Sequence, residues 1–260
     1  MYEMVTYEVR EGVALITLNR PQVANAINTS LGQELYSAMK RVENEPGTRA
    51  VVLTGAGRAF CAGQDLSEQD AIADGAHLAN AVRERYNLLI AKMQALPVPI
   101  IAAVNGAAAG AGFGLALACD LRFAATNAKF TMAFSRIGLA PDSGTSYFLP
   151  RLIGVGKALE WAWTADVISA ESAHAAGVVN RLFEPEALLE ETLRFAAQLA
   201  AGPTKALALT KETIYQNFSA SLPEALEREA VCQEQAGQSA DFIEGVTAFV
   251  QKRAPKYEGR

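Results

Sequence analysis

Two stretches of small residues, each directly behind an apolar run, are the parts of this sequence best suited to chemistry. Gly55-Ala56-Gly57-Arg58-Ala59-Phe60-Cys61-Ala62-Gly63-Gln64-Asp65-Leu66 follows Ala50-Val51-Val52-Leu53-Thr54, and Asn105-Gly106 through Gly110, Gly112 and Gly114 follows Ile100–Val104. A buried strand that delivers a Gly/Ala turn into a helix start leaves main-chain N–H groups without partners. Small residues also let a ligand approach that main chain closely. Tight strand–helix packing asks for the same residues, but the plan occurs twice, and two such amides meeting at one point would make an oxyanion hole. Two acids stand near these turns. Asp65 lies just past the first and reads more readily as a helix cap than as a catalytic group. Asp142 follows Pro141 in the otherwise neutral stretch Ile137–Pro150. It reads as an N-cap for a helix starting near Ser143, a role compatible with catalysis.

Other chemistries find little support. The only histidines, His77 and His174, are far apart in the chain, so a His-ligated metal or a Ser–His–Asp triad is a poor starting point. His174 reads as a surface residue. Cys61, Cys119 and Cys232 form an odd set without metal-like spacing. With no signal peptide in MYEMVTYEVREG, they indicate a reduced, cytoplasmic setting, and Cys61 reads as packing filler. Net charge is −5 and no basic block exceeds Lys252-Arg253, which argues against nucleic acid as the partner. The longest weakly charged stretch, Met93 to Leu121, is interrupted by Pro97, Pro99 and the glycines and does not read as a membrane span.

The elements that must position these groups alternate. Strands are expected at Val13–Leu18, Ala50–Thr54, Ile100–Val104, Leu121–Ala125 and Val178–Phe183, and helices at Leu31–Val42, Gly75–Leu96, Gly156–Thr164 and Ser169–Ala176. Strands separated by helices point to an α/β fold with crossover connections. From Pro185 onward the pattern is helical throughout, with helices over 186–201, 203–218, 222–235 and 241–253. The texture changes near residue 200, dividing the chain into 1–200 and 201–260.

Several motifs in order, LNRPQVANAIN (18–28), VVLTGAGRAFCAGQDL (51–66), AAVNGAAAGAGFGLALACD (102–120), SAESAHAAGVVNRL (169–182) and EGVTAFVQKR (244–253), resemble the crotonase (enoyl-CoA hydratase/isomerase) superfamily over nearly the whole chain. The resemblance implies a crotonase-like spiral of ββα units carrying the acyl-CoA site in 1–200, and a helical trimerisation region in 201–260. It implies an acyl-CoA thioester substrate, with coenzyme A part of the substrate and no separate cofactor or metal, and a homotrimer or a dimer of trimers. Carried over by position, the two oxyanion-hole amides are those of Gln64 and Ala111. The adenosine part lies by Val23, Ala24 and Ala62, and Lys252 can reach the CoA phosphate of a neighbouring subunit.

The departures are as informative as the matches. The resemblance implies two glutamates for hydration, at positions occupied here by Gly114 and Phe134. Neither residue can move a proton. Asp142 remains, where several isomerases of the family put their single acid. The segment KFTMAFSRIGLAPDSGTSYFLPRLIG (129–154) looks most like the members that convert ring-1,2-epoxyphenylacetyl-CoA to its oxepin. The expectation is therefore an acyl-CoA isomerase, acting on that epoxide, on enoyl-CoA double bonds, or on both. Phe134, with Phe113 or Tyr86, would supply an apolar wall. The alternatives are an enoyl-CoA hydratase that draws on Asp65 or Glu68, and an acyl-CoA-binding subunit without chemistry of its own.

Overall fold

The computed structural model describes residues 2–67 and 75–260, apart from the side chains of 75–77. Its centre is a six-stranded sheet in the order β1-β2-β3-β5-β7-β10. The strands are β1 (Val5–Arg10), β2 (Val13–Leu18), β3 (Ala50–Gly55), β5 (Ile100–Val104), β7 (Leu121–Ala125) and β10 (Arg181–Phe183). All neighbours run parallel except β1 and β2. The apolar runs expected as strands are the middle of this sheet, and every residue of β3 and β5 is buried. Strand β1 has no counterpart in the sequence reading, because VTYEVR buries only Val5 fully and forms a polar edge. Strand β10 is shorter than Val178–Phe183. The Val178 and Val179 amides instead donate to Ala173 O, at the end of the preceding helix.

A second, smaller sheet is built from three-residue strands that propensity does not mark: β4 (Ala59–Cys61), β6 (Ala107–Ala109), β8 (Lys129–Thr131) and the two-residue β9 (Ile168–Ser169), in that order. A long strand in the large sheet, a short one in the small sheet and then a helix recur along the chain. Thus β5 and β6 lead to α4 (Ala111–Leu117), and β7 and β8 to α5 (Thr145–Ile153). This is the expected α/β spiral of ββα units. After α1 (Thr29–Asn44), whose first turn is capped by the Asn28 side chain accepting from Leu31 N at 2.9 Å, comes a helical run of three parts. It comprises α2 (Gly75–Ala81), a π-helical segment over Val82–Asn87 and α3 (Leu88–Ala95). Helices α6 (Val155–Thr164), α7 (Ala170–Ala175) and α8 (Leu188–Ala200) follow, and α8 packs along the large sheet.

The last helices, α9 (Thr204–Asn217), α10 (Leu222–Gly237) and α11 (Ala240–Val250), attach through polar anchors rather than a shared core; α9 and α10 bury no residue fully. Lys211 Nζ pairs with Asp120 Oδ2 at 2.9 Å, and Tyr215 donates to Asp120 Oδ1 at 3.1 Å. Arg49, at the entrance to β3, donates to Gly202 O at 2.7 Å, Thr204 Oγ1 at 2.6 Å and Tyr257 O at 3.3 Å. The buried Asp241 carboxylate accepts from the amides of Glu258 and Gly259, so the chain's last residues are held down. The same helices leave large apolar groups uncovered, Ile243, Val250 and an 85% exposed Phe249 among them.

Candidate active site

The first small-residue loop is shaped by Asn25. Its Nδ2 donates to Ala56 O at 2.9 Å and Ala59 O at 2.8 Å, while Oδ1 accepts from Arg20 N at 2.9 Å. Beyond β4 the chain pairs briefly with Ile27: Ile27 N donates to Gly63 O at 2.7 Å and Asp65 N to Ile27 O at 2.9 Å. Gln64 lies between these two bonds. In an extended segment alternate amides face opposite ways. Its own N–H has no acceptor among the described residues. In the second loop Gly110 N donates to Thr131 O at 3.0 Å, and Ala111 opens α4. The Ala111 N–H therefore belongs to a first helical turn without an intrahelical partner, and it too has no acceptor among the described residues.

The loops meet backbone to backbone at Gly63. A Cβ there would lie 2.7 Å from Ala109 O and 3.4 Å from Ala111 N, and its φ is +94°. Only glycine suits both the conformation and the approach. Gln64 and Ala111 border one cavity of about 270 Å³, which Asp142 also lines. Its remaining wall is largely apolar, with Leu78, Val82, Tyr86, Phe134, Ile137 and Leu139. Tyr86 stands on the π-helical segment, a kind of helical irregularity common at functional sites. Its hydroxyl bonds to Gln64 Oε1.

Asp142 does not cap a helix with its side chain, which corrects the sequence reading. Helix α5 begins at Thr145, and the main-chain carbonyl of Asp142 receives Thr145 N at 2.9 Å and Thr145 Oγ1 at 2.7 Å. The physical reason is a turn through two left-handed residues, Ser143 at φ +51° and Gly144 at φ +75°, which places the backbone rather than the carboxylate over the helix start. For a serine that conformation costs about 1–2 kcal/mol. The carboxylate makes no ion pair among the described residues, and its sole described partner is Ser143 Oγ, donating to Oδ1 at 2.8 Å. Burial pushes its pKa above the usual carboxylate range, and the Ser143 hydrogen bond partly opposes that. It is the only acid among the described lining residues.

Asp65 is occupied elsewhere. Its Oδ2 pairs with Arg20 at 2.8 Å, and Oδ1 accepts from Ser67 N at 3.1 Å and Ser67 Oγ at 2.6 Å. The Ser67 hydroxyl, then Arg20, hold it below the ordinary carboxylate range. It is not among the lining residues. Glu68 lies outside the described residues. Cys61 is fully buried, with its thiol pushed up to about 12, as befits filler. The exposed His174 ring bonds the Val179 carbonyl.

The comparisons with known proteins agree with this architecture. The family model described as enoyl-CoA hydratase/isomerase matches residues 8–260. This chain belongs to that family. It is 46% identical over 260 residues to the "probable enoyl-CoA hydratase" of Rhodobacter capsulatus, covering 100% of this chain and 99% of that one. It is 41% identical over 262 residues to the 1,2-epoxyphenylacetyl-CoA isomerase of Escherichia coli K12, covering both completely. The solved enoyl-CoA hydratase of Bacillus anthracis superposes with a TM-score of 0.95 at 35% identity, over 99% of this chain and 100% of that one. The protein is thus an enzyme of the enoyl-CoA hydratase/isomerase family, and an acyl-CoA thioester substrate is consistent with that membership.

Within that family frame, the two positions expected to hold hydratase glutamates differ in kind. At Gly114 a Cβ would lie 2.7 Å from Ser143 Cβ and 2.8 Å from Ser143 O, so the space a side chain would take is filled by the turn that carries Asp142. At 134 the phenylalanine is buried and lines the cavity. Phe113, by contrast, packs on Phe130 at 5.3 Å between ring centroids and belongs to the core, so of the two further candidates for the apolar wall only Tyr86 lies there. Ala62 borders the cavity and donates to Ala24 O at 3.0 Å; neighbouring Val23 is exposed. Lys252 is exposed at the end of α11 and is not among the lining residues. Sequence reasoning missed Ser143, Arg85 and Arg136. A serine directly after the candidate acid was the available signal for the first. The arginines join the wall only through the three-dimensional path of the helix and the 3₁₀ turn (Phe134–Ile137) that bear them.

No described helix is long and apolar enough to cross a membrane, and no metal-binding cluster occurs among the described residues.

Proposed function

We propose that this enzyme is an acyl-CoA isomerase with one proton-transferring carboxylate. The observation that carries the reading is that Asp142 is the only acid among the described lining residues, that position 134 on the same wall is aromatic, and that position 114, beneath the turn bearing Asp142, is closed to side chains. The Gln64 and Ala111 amides receive the thioester oxygen and stabilise the enolate charge as it develops, each donor contributing about 2.7–4 kcal/mol. Asp142 takes a proton from C2 of a 3-enoyl thioester, giving a dienolate, and returns it at C4. One carboxylate suffices because both carbons belong to the same allylic unit. With a ring epoxide, the same amides polarise the carbonyl while Asp142 assists ring opening. Burial raises the basicity of Asp142, and Phe134 helps to keep water from the intermediate. The isomerase relative supports this reading, as does the acid-free character of positions 114 and 134.

The hydratase name of the Rhodobacter relative motivates the competing reading. One experiment separates them: turnover of purified protein on 2-enoyl-, 3-enoyl- and ring-epoxidised phenylacetyl-CoA, run beside Asp142→Asn. The isomerase reading expects 3-enoyl or epoxide turnover that falls about 10²–10⁴-fold in the variant. Rapid hydration of crotonyl-CoA, or wild-type isomerisation by Asp142→Asn, sinks it; CoA binding without turnover on any thioester would leave a binding subunit.

The adenosine part of the substrate is assigned to the surface around Val23, Ala24 and Ala62, with Lys252 of a neighbouring copy at its phosphate. The uncovered apolar groups on α10 and α11 support assembly as a homotrimer or a pair of trimers. Light scattering on the eluting protein tests this: a monomer at micromolar concentration rules it out.

A further inference from the structure

Ser143 combines four features that packing alone does not require. It is 1% exposed, it holds a left-handed φ of +51°, its hydroxyl donates to Asp142 Oδ1 at 2.8 Å, and it rests directly over Gly114. The contact with Gly114 is close enough that a Cβ at 114 would stand 2.7 Å from Ser143 Cβ and 3.0 Å from Thr145 Cγ2. The next residue is equally constrained, since a Cβ on Gly144 would meet the Phe148 ring at 2.6 Å. The turn therefore has little freedom to rotate. Within it Asp142 uses one carboxylate oxygen for Ser143, and Oδ2 has no partner among the described residues.

We infer that Ser143, seated on the bare backbone of Gly114, is a positioning residue that fixes the Asp142 carboxylate and leaves Oδ2 as the oxygen that exchanges the proton. This rests on the isomerase reading of Asp142. The serine hydroxyl donates to Oδ1 before and after Oδ2 takes the substrate proton, so it is neither consumed nor ionised and the transfer balances between carbon and Oδ2. Its bond favours the anion, opposing the burial that raises the group's pKa. The charged and titratable groups sharing the described wall are Arg85 and Tyr86 on the helical segment and Arg136 on the 3₁₀ turn. Helix α4 supplies none, and on α5 Arg151 stacks on Tyr147. Ser143 is thus the side chain hydrogen-bonded to the carboxylate, whereas the Arg136 guanidinium is bonded to Ala165 O.

The test compares Ser143→Gly and Ser143→Thr with wild type and Asp142→Asn, following kcat, KM and the pH dependence of kcat/KM for a 3-enoyl-CoA. Glycine accepts φ +51° freely, so Ser143→Gly removes the hydroxyl without adding backbone strain. Its kcat is expected to fall about tenfold to a hundredfold, the worth of a hydrogen bond to a charged group, with KM changed less than about twofold. The acidic limb of its profile is expected to move to higher pH, because the carboxylate loses a donor that favoured its charged form. Ser143→Thr, which keeps the hydroxyl, restores that limb. If Asp142→Asn is inactive while Ser143→Gly keeps the wild-type kcat and limb, the inference about Ser143 is wrong and the reading of Asp142 stands. A fall in kcat without displacement of the limb assigns Ser143 a merely structural part and also overturns it. Wild-type activity in Asp142→Asn removes both.

Discussion

Replacing Gly63 with alanine tests the proposed oxyanion hole at the point where the two loops touch. The new methyl would sit 2.7 Å from Ala109 O, about 0.7 Å inside the 3.4 Å at which ordinary contact begins. Both partners are backbone, so neither can rotate away, and the loops must separate by several tenths of an ångström. Oxyanion donors work at about 2.7–3.1 Å, so a shift of that size takes one of the Gln64 and Ala111 amides out of reach. The expected loss is about 10²–10³ in kcat, or roughly 2.7–4 kcal/mol of transition-state stabilisation. Alanine at φ +94° also loses about 1–2 kcal/mol of stability, which in a chain of this size lowers Tm by about 2–8 °C. Gly47→Ala separates the two effects. Its φ is +85° and a Cβ there meets nothing within 4 Å, so it should lower Tm comparably and leave kcat unchanged. The assay is steady-state isomerisation of a 3-enoyl-CoA beside thermal unfolding of both variants. A Gly63→Ala enzyme whose kcat stays within about threefold of wild type would refute the argument that these loops hold the thioester oxygen.

Three further outcomes are expected. Phe134→Ala lets water to the Asp142 carboxylate, and since burial is the main cause of its raised pKa, the acidic limb of kcat/KM should move to lower pH, opposite to Ser143→Gly. Asp65→Asn strands the Arg20 guanidinium, whose side chain is only 13% exposed, and should destabilise the fold by about 3–5 kcal/mol in urea titration. Asp65 is held below the ordinary carboxylate range, so its stabilisation is present above the unfolded-state pKa of about 4 and is lost as pH falls through the folded-state value. The gap between wild type and variant should therefore narrow only in acid below about pH 4. Thiol titration of the native protein should label Cys232 alone, because burial lifts Cys61 and Cys119 to about 12; all three should react in denaturant.

Legibility followed the strength of local patterning. Runs such as Val51-Val52-Leu53 and Ile100-Ile101 are apolar on both faces and name a buried parallel strand by themselves. The short strands of the second sheet could not be read in the same way, because Ala107–Ala109 pair through backbone geometry imposed by their neighbours. At the site, the two glycine loops and Asp142 were visible as residue types in unusual settings. The role of the Asp142 carboxylate was not, since a cap and a cavity acid share one local signature and differ only in the left-handed turn at Ser143-Gly144. Asp65 shows the converse: the partner that occupies it, Arg20, lies 45 residues away in sequence.

The three bonds of Arg49 have a further consequence. A single guanidinium grips the chain where the terminal helices begin, at Gly202 and Thr204, and again where they have ended, at Tyr257. It acts as a non-covalent staple closing residues 202–257 into a ring fastened to β3. The ring is tied a second time where Lys211 and Tyr215 of α9 meet Asp120, so loosening Arg49 should speed amide exchange at both ends of the 202–257 segment while α9 stays held at Asp120.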